Sequence, residues 1–197
     1  QPDLVVAYRN LHSAGWQWPY TLGDHVVVLT QVTDVPVLLL PRPGALDASR
    51  GTDCVMAVTD HLAGDARLVD AGVAFTAPKG TLFLSHVEDD AIYARYMAVI
   101  GKIPNLPTDV AETELRARML KEPADYIASV RSALTDMDLT VEAEVQMGHH
   151  LSAYRQLVQK HQIDLLVLNT KDDEQLAMHG SAYPLAVELR DVPLLML

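Results

Sequence analysis

Ile163-Asp-Leu-Leu-Val-Leu-Asn-Thr170 and Gly180-Ser-Ala-Tyr-Pro-Leu-Ala-Val-Glu-Leu-Arg-Asp-Val-Pro-Leu-Leu-Met-Leu197 decide the fold, because the chain carries this pair of segments twice. Asp3-Leu4-Val5-Val6 lies over Asp164-Leu165-Leu166-Val167. Leu22 to Leu40 then lies over His179 to Leu197 without a gap, matching Gly23 to Gly180, Asp34 to Asp191, Val35 to Val192 and Pro36 to Pro193. The loop between the matched blocks is four residues longer in the first copy. Apolar strands agree often by chance, but a shared Gly and a shared Asp-Val-Pro in one register mark an internal repeat.

The repeated unit reads as strand, loop, helix, strand. Asp164 to Leu168 is a short, nearly continuous apolar run, which suits a strand covered on both faces. Ser181 is an N-cap candidate, and Ala182, Leu185, Ala186 and Leu189 follow at helical spacing on one face. Pro184 falls in the first turn, where its missing N–H removes no helical bond. Val192 to Leu197 is the second strand. A strand–helix–strand unit implies a parallel pair with a right-handed crossover. The first copy, from His25 to Val32, is so β-branched that propensity alone predicts a strand. The repeat predicts a helix there instead, with His25, Val28, Leu29 and Val32 inward.

Composition bounds the rest. The 197 residues are 49% hydrophobic and 21% charged, enough for one large or two small domains with a substantial core. No apolar run approaches a membrane span, and Gln1-Pro2-Asp3 does not begin a signal peptide. The single cysteine, Cys54, excludes an internal disulfide framework, fits a reducing compartment such as the cytoplasm, and reads as a core residue. A formal net charge of −11 and the lack of a basic stripe argue against nucleic-acid binding.

In chain order, residues 1–41 hold the first copy of the unit and 42–52 form a turn-rich linker. A complete domain then spans 53–197. Cys54 to Thr59 reads as a buried strand, and Ala66 to Ala77 as a helix with Gly72 where it meets the sheet. Thr81 to Val87 is a second strand and Ala91 to Ile100 a helix. Pro104 and Pro107 interrupt it, a helix restarts at Thr108 or Asp109, and Pro123 makes a break or a new first turn near Glu122, after which Ala124 to Leu134 continues. Thr140 to Met147 alternates apolar and charged residues, as a half-exposed edge strand does. His149 to His161 is a helix, and the repeated unit closes the domain. The expectation is an α/β protein with an open, doubly wound parallel sheet.

At this point the sequence resembles the universal stress protein family, in particular members with two such domains in one chain. The resemblance rests on Val58-Thr59-Asp60, Ser85-His86-Val87, Met147-Gly148-His149, Asp164-Leu165-Leu166-Val167, Gly180-Ser181 and the terminal Asp191-Val-Pro-Leu-Leu. It implies strand order 3-2-1-4-5 and antiparallel pairing between the last strands of two domains, here Val35–Leu40 against Val192–Leu197. Many members of that family bind ATP at the carboxyl ends of strands one and four. That crevice is where an open α/β sheet places a helix N-terminus against an anion.

Carried over by the resemblance, the cofactor-binding positions are Thr59, Asp60 and Val87 for adenine and ribose, and Asn169, Gly180 and Ser181 for phosphate. The departures are chemical. Phosphate-loop glycines allow φ > 0 and close backbone approach, but Asn169 and Asp172 stand where two of them belong. Lys171 faces Asp172, Asp173 and Glu174. Two like charges about 4 Å apart repel by about 1 kcal/mol in water and several near a protein surface. In the first copy Tyr8 and Leu11 replace the glycines.

Bland readings stand beside these. Asp60 serves equally as a loop cap, His61 as a surface residue and Gly180-Ser181 as a helix cap. His149-His150 diverge at a helix start, which is not a metal site. No nucleophile–base pattern, carboxylate cluster or Walker-type loop is present, so no catalytic residue is expected. The expectation is therefore a cytoplasmic universal-stress-type protein acting by binding and dimerisation, with no cofactor and no robust ATP binding or turnover. One alternative is an adenine-nucleotide-binding stress protein using a shifted pose; a second is a soluble regulatory domain of a membrane transporter. Partners follow as self-association, no nucleic acid, no membrane span, and another chain or missing segment covering the strand at 3–7.

Overall fold

The computed structural model describes residues 2–12, 20–44, 51–59, 66–104, 107–170, 178 and 182–197. In chain order its elements are β1 (Val5–Tyr8), α1 (Asp24–Val32), β2 (Val37–Leu40), β3 (Cys54–Val58), α2 (Ala66–Phe75), β4 (Thr81–Asp89), α3 (Asp90–Ile100), α4 (Thr108–Ala133), β5 (Thr140–Gly148), α5 (His150–His161), β6 (Leu165–Leu168), α6 (Ala182–Glu188) and β7 (Leu194–Met196). The strands form one seven-stranded sheet in the order β1-β2-β7-β6-β3-β4-β5. Every neighbouring pair is parallel except β2–β7. From β5 to β7 this is the expected 3-2-1-4-5 order.

Helices cover both faces. On one, Val26 of α1, Tyr154 and Leu157 of α5 and Leu185 of α6 pack over Leu39, Met56, Leu166 and Leu194. On the other, Leu68 of α2 and Ile127 of α4 pack over Val55, Leu82, Val167 and Leu195. Gly72 permits the α2 contact: a Cβ there would lie 2.9 Å from Leu82 Cδ1. β5 forms the expected edge, and its Glu142 and Ala143 are exposed.

The two strand–helix–strand units share their registers. Val5 pairs with Val37 as Leu166 pairs with Leu194. The Val5 N–H donates to Pro36 O at 3.0 Å, and Leu166 N–H to Pro193 O at 3.0 Å. Between the units, Val37 lies opposite Met196, Leu38 opposite Leu195 and Leu39 opposite Leu194. The repeat matches Val37 with Leu194, Leu38 with Leu195 and Leu39 with Met196. It therefore exchanges the outer two pairs and maps the middle pair onto itself, which is a local twofold through Leu38 and Leu195.

Three expectations need correction. α1 is helical but does not bury His25, Val28 and Val32; His25 is exposed, and Val28 and Val32 are 55% and 73% exposed. It buries Val26 and Thr30 instead. The cause is loop length: four residues separate α1 from β2, and five separate α6 from β7. The helices thus correspond one residue out of the ungapped register, with Val26, Leu29, Thr30 and Thr33 taking the places of Ala182, Leu185, Ala186 and Leu189. The terminal hydrogen bonds agree: Thr33 N–H donates to Leu29 O at 3.1 Å and Leu189 N–H to Leu185 O at 2.9 Å.

Pro123 does not break its helix. α4 runs unbroken from Thr108 to Ala133, with Pro123 buried and Ile127 buried against the sheet. Proline forfeits one helical bond, and the apolar contacts of this turn offset that loss. Cys54 is half-buried rather than core, at the amino end of β3, where its backbone N–H donates to the Asp164 carboxylate at 3.1 Å.

Candidate functional site

β3 sits at the centre of the second unit's sheet, between β6 and β4, with Val58 opposite both Leu168 and Ser85. The next residues on β3 and β6 are Thr59 and Asn169, so two of the expected cofactor-binding residues are neighbours at the carboxyl edge. Val87 lies further along β4, which continues to Asp89. The described residues thus bring Thr59, Asn169 and Val87 to one end of the sheet. Asp60, Gly180 and Ser181 lie outside the described residues, as do Lys171, Asp172, Asp173 and Glu174.

The polar groups at this edge are used within the protein. The Thr59 hydroxyl donates to Ser85 O at 3.0 Å and its N–H donates to the same oxygen at 2.9 Å. The Ser85 hydroxyl donates back to Ala57 O at 2.9 Å. Thr59 O accepts from His86 Nδ1 at 2.6 Å, since a carbonyl can only accept. That assignment leaves His86 Nε2 facing the Glu88 carboxylate at 3.3 Å. Val87 N–H donates to the hydroxyl of the fully buried Tyr154 at 3.2 Å. Together these contacts cross-brace β3, β4 and α5.

The brace bears on the cofactor that the resemblance implies. Thr59 is 0% and Val87 2% exposed, so neither presents surface to an adenosine group in that pose. Asn169 is half-buried and has its own partners. The one acid–base pair in these contacts is His86–Glu88, which sequence reasoning did not select. The signal was present: in a strand, residues two apart share a face, and His86 and Glu88 do. No group of three or more His, Cys, Asp or Glu suited to a metal occurs among the described residues, including around His149 and His150. No helix of the described residues is long and apolar enough to cross a membrane.

At the corresponding edge of the first unit, Asn10 and His12 adopt left-handed conformations (φ 54° and 59°), whereas Tyr8 and Leu11, the positions matched to the phosphate-loop glycines, do not. Arg9 directly follows β1. Its guanidinium donates to Ala186 O and to Leu189 O.

No family model matches the chain, and no curated protein does either. Solved structures do. The hypothetical protein MJ0577 matches at 15% identity and a TM-score of 0.59, over 75% of this chain and 96% of that one. Universal stress protein UspA from Lactobacillus plantarum matches at 15% identity and a TM-score of 0.54, over 75% of this chain and 99% of that one. This chain has the universal stress protein fold. A longer chain of Pseudomonas aeruginosa UCBPP-PA14, classed with the universal stress proteins, matches at 13% identity and a TM-score of 0.57. It aligns with 99% of this chain, which spans 63% of its length. The universal stress fold here thus comes with an added strand–helix–strand unit on its outer edge.

Proposed function

We propose that this chain is a universal-stress-type protein that acts by binding and self-association, not by catalysis. In this reading a partial domain, 1–41, and a complete domain, 53–197, are joined by the linker 42–52 and pair through their last strands. The observation that carries it is the β2–β7 register, whose local twofold is what two copies of one unit produce when they meet edge to edge. The reading includes a role in stress response and a cytoplasmic location.

The braced Thr59 and Val87 support the absence of robust ATP binding or turnover, as does the acidic run Asp172-Asp173-Glu174 in place of a glycine cradle. The outer edge of β1 supports a further contact. Val6 is 55% exposed, whereas its counterpart Val167 is fully buried beneath a neighbouring strand and helix. Another chain or segment would cover that edge as β3 and α2 cover β6. Isothermal titration with ATP and magnesium, repeated with AMP, tests the non-binding part. The expected trace shows dilution heat alone, and a micromolar dissociation constant for either nucleotide would refute it.

A further inference from the structure

α3 turns an apolar side to solvent. None of its eleven residues is buried. Tyr93, Met97 and Ile100, at i, i+4 and i+7, are half-buried on the side that meets α4, where the Tyr93 hydroxyl donates to Glu112 O at 3.2 Å. A second row, Ile92, Tyr96, Val99 and Ile103, is 41%, 52%, 58% and 50% exposed. Ile103 extends that row because the chain keeps turning past the helix. Gly101 N–H donates to Met97 O at 2.9 Å, Lys102 N–H to Val99 O at 3.0 Å and Ile103 N–H to Ile100 O at 2.9 Å. Apolar residues scattered singly over a surface need no explanation, but four in one helical row mark an interaction surface.

Two features select the occupant. The first is spacing: the row steps by four, three and four residues, so it reads the same in both directions. A second copy laid antiparallel, about a twofold midway between Tyr96 and Val99, sets Ile92 of one copy opposite Ile103 of the other. Tyr96 then lies opposite Val99, which is a self-complementary contact of the kind a twofold dimer makes. The second feature is charge. Two chains of net charge −11 repel as wholes and can meet only where the local charge is balanced. From Asp90 to Ala133, across α3 and α4, six acids and six bases cancel. An anionic lipid surface would instead call for a surplus of Lys and Arg around the row.

We propose that the exposed row of α3 is the surface through which two copies of this chain associate, with the two helices antiparallel. The inference rests on the self-association in the proposed function and gives it a contact between chains, separate from the β2–β7 pairing within one chain. A single pair of helices buries less than the roughly 1,200 Å² of a stable complex, so the dimer is weak and reversible.

Sedimentation velocity on the full chain over a micromolar concentration series tests this, with a monomer–dimer equilibrium as the expected result. Tyr96→Glu with Val99→Glu sets carboxylates against carboxylates across the axis and should weaken the dimer more than about tenfold. Tyr96→Glu with Val99→Lys sets opposite charges there and should restore association. Val28→Glu with Val32→Glu adds the same charge to the exposed side of α1 and should leave the dimer unchanged. All four positions are exposed, and circular dichroism checks that each variant folds. A dimer that survives Tyr96→Glu with Val99→Glu, or one that the opposite-charge variant fails to restore, would overturn this surface and leave self-association standing. A monomer at every concentration would overturn both. Flotation with phosphatidylserine–phosphatidylcholine vesicles should leave the chain unbound, and vesicle binding without a dimer would assign the row to lipid and overturn the proposal.

Discussion

The local twofold predicts a cross-link that no other arrangement of these strands allows. The carbonyls of Pro36 and Leu40 accept from β1. By strand alternation Leu38 also turns its backbone towards β1, so Leu38 and Leu195 form a non-hydrogen-bonded antiparallel pair. Such pairs place Cα atoms about 4.5 Å apart, inside the range a disulfide spans. In a Cys54→Ser background, Leu38→Cys with Leu195→Cys should oxidise readily and intramolecularly. The bond closes a loop of 157 residues, from position 38 to 195. The chain-entropy relation for that length gives about 5 kcal/mol as an upper bound. The assay compares urea unfolding of the oxidised and reduced forms of the same variant, so the loss of two leucines cancels. The control, Leu39→Cys with Leu195→Cys, points its side chains to opposite faces and should stay reduced. Failure of the first pair to cross-link, or equal cross-linking of the control, would refute the register and the twofold with it.

Two further outcomes follow from individual contacts. Tyr154→Phe removes the acceptor for the buried Val87 N–H and should cost about 1–3 kcal/mol in urea unfolding, the penalty for an unpaired buried donor. Glu144 is held below its ordinary pKa: partial burial alone would raise it, but hydrogen bonds from Lys160 and His161 outweigh that. A depressed carboxylate contributes stability above its unfolded pKa, lost as pH falls through the lower folded value. The gap between wild type and Glu144→Gln in urea midpoint should therefore be open at pH 6 and close towards pH 3. A constant gap would show that the Lys160 and His161 contacts do not stabilise the fold.

Much of the fold was legible because repeated patterns constrain one another. The Asp-Val-Pro match located the ends of β2 and β7, and the short connections required parallel pairs within each unit. The inward face of α1 was not legible. Val26, Val27 and Val28 leave hydrophobic periodicity with no preferred side, and a single-residue difference between loops rotates the answer. Pro123 misled for a related reason, since the local rule holds only until tertiary packing offsets the lost bond. At the candidate site, the neighbourhood of Thr59 and Asn169 followed from strand order alone. The bonds that close it did not, because Thr59 reaches Ser85 and His86 across 26 and 27 residues of sequence.

By itself the sequence determined the strand–helix–strand unit and its repetition, which follow from local pattern and from backbone hydrogen bonding that must be completed wherever water is excluded. The strand order and the edge at which the two units meet were what the resemblance to the universal stress proteins implied. Only the tertiary structure decided which groups those edges leave over. It placed the Arg9 guanidinium on α6 and the Thr59–His86 brace across β3 and β4. Each depends on side chains far apart in the chain arriving within a few ångströms, and residue periodicity carries no information about that distance.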